Sequence, residues 1–123
     1  MVAMPPDPSI QRLSSNGRLA RVVVHAGTVY LAGVVAREKT PDVAAQTADV
    51  LAQIDALLTD AGTDKSRLLR VTIWLHDMAD FAAMNTVWDG WVDAANAPAR
   101  ATVESRLAGQ GANLVEMMAT AAL

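Results

Sequence analysis

Between Ala97 and Ser105 the chain reads APARATVES, and strand-type alternation puts Arg100, Thr102 and Glu104 on one side of that stretch. An arginine so placed suits carboxylate recognition, because the guanidinium is a planar fork that pairs bidentately with a carboxylate. The competing use is a structural salt bridge to an acid of a neighbouring subunit. Glu116 follows among Leu114, Val115, Met117 and Met118. An acid in apolar surroundings is either paired, for instance with Arg100 or Arg106, or fitted for general acid–base work. Glu104 reads as a structural hydrogen-bond partner at an interface. Asn85 divides evenly between a pocket role and bracing a loop. His25 and His76 have no acidic companions at ligand spacing, and the chain has no cysteine, so neither a metal site nor a catalytic thiol is expected.

These side chains need a scaffold, and the periodicities describe one. A short strand is expected at Ile10–Leu13, then a turn at SSNGR (14–18). Arg21–His25 and Val29–Val35 flank Ala26-Gly27-Thr28 and read as a hairpin. Val43, Thr47, Val50, Leu51, Ile54, Leu57, Leu58 and Ala61 form one face of a helix over about 41–61, with Thr40 as N-cap, Pro41 at the first position and Gly62 as terminator. Leu69, Val71, Ile73 and Leu75 alternate as the apolar face of a strand. Asp80 is the expected cap of a second helix, whose stripe is Phe81, Met84, Val87, Trp88, Trp91 and Val92. Asn96-Ala97-Pro98 ends it. Strands at about 99–107 and 114–122 close the chain.

The order β-β-β-α-β-α-β-β defines an α+β protein, a mixed sheet with two helices on one face. The other face is left without a helix and is not generally polar, which implies a partner subunit. The 123 residues are about one domain's worth, with a short arm at about 1–9, and 52% are hydrophobic, enough for a substantial core. The net charge of −3, with signs interspersed, argues against nucleic-acid binding. No apolar run approaches a membrane span, and the start MVAMPPDP lacks a signal-peptide pattern, so a cytoplasmic location without membrane association is expected.

Read together, several segments resemble the Rid family of reactive-intermediate deaminases, also called YjgF. They are VYLAG (29–33), Gln46-Thr47 with Leu51, Ile54, Leu58 and Gly62, DMADF (77–81) with Met84-Asn85 and Val87, and PARATVE (98–104). The resemblance runs from about Gly17 to Ala122. It implies a fold like that of the trimeric chorismate mutases, a homotrimer with clefts between subunits, a small carboxylate-bearing substrate, and no metal or organic cofactor. Carried over by motif, Arg100 grips the substrate carboxylate, helped by the Thr102 N–H at a position where many members have cysteine. Glu116 holds the water that attacks an imine, Asn85 is the pocket asparagine, and Gly33 lines the pocket by its backbone. Two hydroxyls of the family pattern are missing: Arg18–Arg21 contains no tyrosine, and Ala32 stands where the pocket serine is found. Ala20 and Ala32 leave room for a larger substrate side chain. The reading is a cofactor-free hydrolase of 2-imino or enamine acids. The alternatives are a non-catalytic trimer that binds small carboxylates and, less favoured, a chorismate-mutase-like enzyme, for which only Arg100 is placed.

Overall fold

The computed structural model describes residues 4, 5 and 7–123. Its elements are β1 (Gln11–Ser15), β2 (Ala20–His25), β3 (Thr28–Leu31), β4 (Val34–Val35), α1 (Val43–Ala61), β5 (Leu68–Leu75), α2 (Phe81–Trp91), β6 (Ala99–Glu104) and β7 (Val115–Ala122). The strands form one mixed sheet in the order β1-β2-β3-β7-β5-β6, with β4 also paired to β7. Every pairing is antiparallel except β5–β6, and α2 is the crossover that a parallel pair requires. The α+β class read from the sequence is therefore present. Of the arm over 1–9, residues 1–3 and 6 lie outside the described residues; Asp7 accepts hydrogen bonds from the backbone and hydroxyl of Ser9.

Local chemistry moves several boundaries. α1 begins at Val43 because Asp42, not Thr40, is the cap: its extended backbone lets the carboxylate accept from the Ala44 N–H at 3.0 Å. Gly62 ends the helix in the left-handed region, its N–H turned back to Leu58 and Thr59. Asp80 caps nothing. Asp77 instead accepts from the Ala79 N–H and opens a 3-10 turn, Met78–Asp80, that leads into α2. Phe81, expected in the buried stripe, is exposed at the first position of α2, while Met84 and Trp88 are buried. A register irregularity between Leu68 and Arg70 makes Leu68 the inward residue and leaves Leu69 exposed. β6 stops at Glu104 rather than near 107.

The strand expected over Val29–Val35 is broken in two. Tyr30 pairs with Thr120 and Val34 with Met117, so this side of the ladder has one residue more than β7 opposite it. That bulge, at Ala32-Gly33, turns β4 along β7 and brings the backbone of Gly33 up to Glu116.

One sheet face is covered by the helices. Val22, Val24, Val29, Leu31, Val71, Ile73, Leu75, Val115, Met117, Ala119 and Ala121 point into it and pack with Val50, Leu51, Ile54 and Leu58 of α1 and Met84 and Trp88 of α2. The alternating residues face the other way. Tyr30, Val103 and Met118 are the most exposed apolar groups there, each more than two-fifths accessible.

Candidate active site

Arg100 lies on β6, the edge strand. In the β5–β6 register it pairs with Val71, while Thr102 pairs with Ile73 and Glu104 with Leu75, so all three share the helix-covered face. Their backbone is also available. Ser105 N–H donates to Leu75 O at 2.9 Å, and alternation then turns the N–H groups of Arg100, Thr102 and Glu104 away from β5, toward the open edge of the sheet. Glu104 does not take the arginine: its carboxylate accepts from the Met78 N–H at 2.8 Å and braces the entry to α2, a structural hydrogen bond made within the chain. The Arg100 guanidinium instead lies over the Trp88 ring of α2, 5.1 Å from the centroid. Two neighbouring groups are left over. Asn85 Oδ1, one turn before Trp88, and Thr102 Oγ1 are both shielded from solvent, and neither has a hydrogen-bond partner. A buried polar atom without a partner costs stability unless something binds it. Along the β5–β6 seam a cavity of about 210 Å³ is lined by Arg70, Thr72, Ala99, Arg100 and Ala101.

Glu116 lies on the opposite face. Its neighbours Val115 and Met117 point into the core, so the apolar run around it in sequence is not its environment. Glu116 pairs across the sheet with Trp74 on β5 and Val35 on β4 and is half-buried. Its carboxylate occupies the space a side chain at residue 33 would need: a Cβ on Gly33 would overlap Oε2 and come within 3.3 Å of Cδ. By lacking a side chain Gly33 leaves room for this carboxylate, and Ala32 beside it offers no hydroxyl.

Two buried glutamines of α1 hold this region, and sequence reasoning assigned neither a role. Gln46 donates to Thr40 O and Ala112 O, both at 2.8 Å, and accepts from the Leu114 N–H at 2.9 Å, just before β7 begins. Gln53 donates to Val35 O at 2.9 Å, opposite Glu116, and accepts from Arg21 at 3.2 Å. The available signal was their spacing, two helical turns apart at the border of an apolar stripe, where a buried amide must be tied to backbone. Asp49 completes the brace by accepting from the Arg37 and Glu38 N–H groups at 2.7 and 3.1 Å. Burial opposes its charge, but these bonds and one from Gln53 prevail and hold its carboxyl below the ordinary 3.8.

A single chain does not bring Arg100 and Glu116 together. They stand on opposite faces, and Trp74 pairs with both Glu116 and Val103, so ordinary strand spacings put the two Cα atoms roughly 14 Å apart. Thr102 and Asn85 go with Arg100; Gly33 and Ala32 go with Glu116. Among the described residues no three His, Cys, Asp or Glu side chains form a cluster fit for a metal ion, and no helix is long and apolar enough to cross a membrane.

A mixed sheet carrying two helices is an architecture also found in known proteins. Residues 9–123 match the family model described as Endoribonuclease L-PSP. A RutC family protein of Haemophilus ducreyi is 42% identical over 114 residues, covering 93% of this chain and 97% of the relative. The RutC family protein YoaB of Escherichia coli is 46% identical over 99 residues, 80% of this chain and 86% of the relative. The crystal structure of a YjgF family member from Neisseria meningitidis superimposes with a TM-score of 0.88 at 44% identity, covering 92% of this chain and 93% of that one. The chain belongs to the Rid/YjgF family.

Proposed function

We propose that this protein hydrolyses reactive 2-imino acids, and enamines through their imine tautomers, at a pocket that two subunits complete. The observation that carries this reading is the pairing of an arginine free of any acid on its own strand with two buried, partnerless oxygens, Asn85 Oδ1 and Thr102 Oγ1. Arg100 takes the substrate carboxylate in its fork, with the outward N–H of Thr102 as a further donor. Glu116 comes from the neighbouring copy, since it faces the other way in its own chain. The apolar open face, with Tyr30, Val103 and Met118, supports burial against that copy.

The chemistry needs little beyond placement, because the imine carbon is already electrophilic. Glu116 accepts a proton as the water oxygen bonds to C2 and the C=N electron pair moves onto nitrogen. Glu116 passes that proton to the nitrogen to give the carbinolamine, which then collapses: Glu116 takes the hydroxyl proton as the ketone forms, the C–N bond breaks, and the same proton is delivered to the departing nitrogen, which leaves as ammonia. One water is consumed, and one 2-oxo acid and one ammonia are released. The family description as an endoribonuclease gains no support here from a chain of net charge −3.

The test is ammonia release from 2-imino acids generated in situ by an amino-acid oxidase. Arg100→Lys keeps the charge and loses the fork; a charge-assisted bond is worth about 1.5–3 kcal/mol, so kcat/KM falls roughly ten- to a hundredfold with melting temperature unchanged. Arg100→Ala falls further. A broken oligomer with ligand affinity intact would make Arg100 an interface salt bridge instead. Carboxylate binding with no ammonia release would make the protein the binding module that its missing hydroxyl at Ala32 favours.

A further inference from the structure

Trp88 is the exception in an otherwise aliphatic core. The buried hydrophobic residues of the described chain are valine, leucine, isoleucine, methionine and alanine, and Trp88 alone among them carries a ring. That ring lies beneath the Arg100 guanidinium, centroid to Cζ 5.1 Å. A second indole backs it: the Trp88 and Trp91 centroids are 5.5 Å apart with planes tilted by 51°, a favourable aromatic arrangement. Trp91 is itself fixed. Its Nε1–H donates to Asp55 Oδ2 of α1 at 2.9 Å, and Lys65 Nζ sits 5.2 Å from its ring centroid.

From this stack we infer that Trp88 is the positioning residue of the site, holding the Arg100 fork in the orientation that receives a carboxylate; the inference rests on the reading of Arg100 given above. An arginine on an edge strand has long-side-chain freedom to lose when it binds. A salt bridge would remove that freedom but would occupy the fork with a protein acid. An aromatic face removes it differently. It attracts the guanidinium through the ring quadrupole and leaves the in-plane N–H donors unused. Tryptophan provides the strongest such face, and the contact gains when water is excluded, as at this buried ring. Trp91, tied to Asp55, keeps the platform from tilting. Fixing a binding group beforehand lowers the cost of binding without adding a contact to the ligand.

The test separates this role from space-filling. Binding of 2-oxobutanoate, an unreactive 2-oxo acid, is measured by isothermal titration calorimetry on the whole protein, and KM and kcat for imino-acid hydrolysis are measured beside it. Trp88→Leu removes the π face, so affinity weakens and KM rises by about ten- to thirtyfold while kcat holds. Trp88→Phe keeps a face and stays within about threefold of the native protein. Both shrink the side chain and lower the melting temperature, so packing loss cannot account for a difference between them. Should Trp88→Leu fail to fold, Trp88→Met, flexible and without a ring, takes its place. Equal loss in the ring-bearing and ringless variants, or no loss in either, overturns the inference. Arg100→Ala distinguishes the two levels. If it leaves 2-oxobutanoate binding intact, the functional reading fails. If it abolishes binding while Trp88→Leu binds normally, only the positioning role fails.

Discussion

Replacing Gly33 with alanine adds one methyl group at the point where two halves of the account meet. The backbone of Gly33 is not in the left-handed region, so alanine is conformationally acceptable there, and such a change raises stability by about 0.4–1 kcal/mol through the unfolded chain. None of the three atoms nearest to the methyl is backbone. The methyl meets the end of a flexible side chain, overlapping Glu116 Oε2 and lying 3.3 Å from Cδ, where carbon atoms prefer about 3.5–4.0 Å. The cheapest relief is a rotation that carries the carboxylate away by about 1 Å, and a misplacement of that size at a reacting group costs on the order of a hundredfold in rate. Gly33→Ala should therefore melt at or slightly above the native temperature while kcat for ammonia release falls roughly a hundredfold. Scanning calorimetry and the coupled oxidase assay read the two quantities separately. Native activity in the variant would refute the positioning of Glu116 by the bulge. A sharp fall in melting temperature would show that residue 33 is glycine for the fold and not for the carboxylate.

Two further outcomes follow from the α1 braces. Gln46→Leu leaves Leu114 N–H, Thr40 O and Ala112 O without their shared partner, and should lower stability by about 3 kcal/mol or more in urea unfolding, with Glu116 activity lost in parallel. Asp49 titrates lower in the folded state than its ordinary 3.8, so its stabilisation is complete above about pH 5 and disappears as pH falls through the folded value. Asp49→Asn, which keeps an acceptor but no charge, should be less stable than the native protein at pH 7, and the gap should narrow as pH falls below the ordinary 3.8 and through the folded value; parallel curves at all pH values would deny the linkage.

Much of this architecture is legible in the residues. The apolar repeat from Val43 to Ala61 marks α1, and alternation in Val71–Leu75 marks the inward face of β5. What escaped has physical causes. Thr40-Pro41 and Asp42 are all good helix-start residues, and only the Ala44 bond selects Asp42. Ala32-Gly33 continues an apolar run, so nothing local betrays a bulge that the register with β7 imposes. Leu68 and Leu69 are the same residue type, and the irregularity at Arg70 decides which points inward. In the site, alternation grouped Arg100 with Thr102 and set Glu116 on its own strand, but it does not say which faces of two separate strands coincide. That they oppose each other follows only from the pairing through β5. Trp88 looked like any stripe residue of an amphipathic helix, and its ring acquires meaning only with Arg100 above it.

The opposed faces make the proposed intersubunit pocket directly testable by mixing two inactive variants. Arg100→Ala and Glu116→Gln proteins are each prepared, then unfolded and refolded together in equal amounts, and ammonia release is compared with either variant alone. In a cyclic trimer with random mixing, about one interface in four receives Arg100 from one copy and Glu116 from the next, so activity should return to roughly a quarter of native. Sedimentation equilibrium of the same sample should give a trimer. No recovery of activity in a mixed trimer, or a stable monomer that is active by itself, would contradict the account.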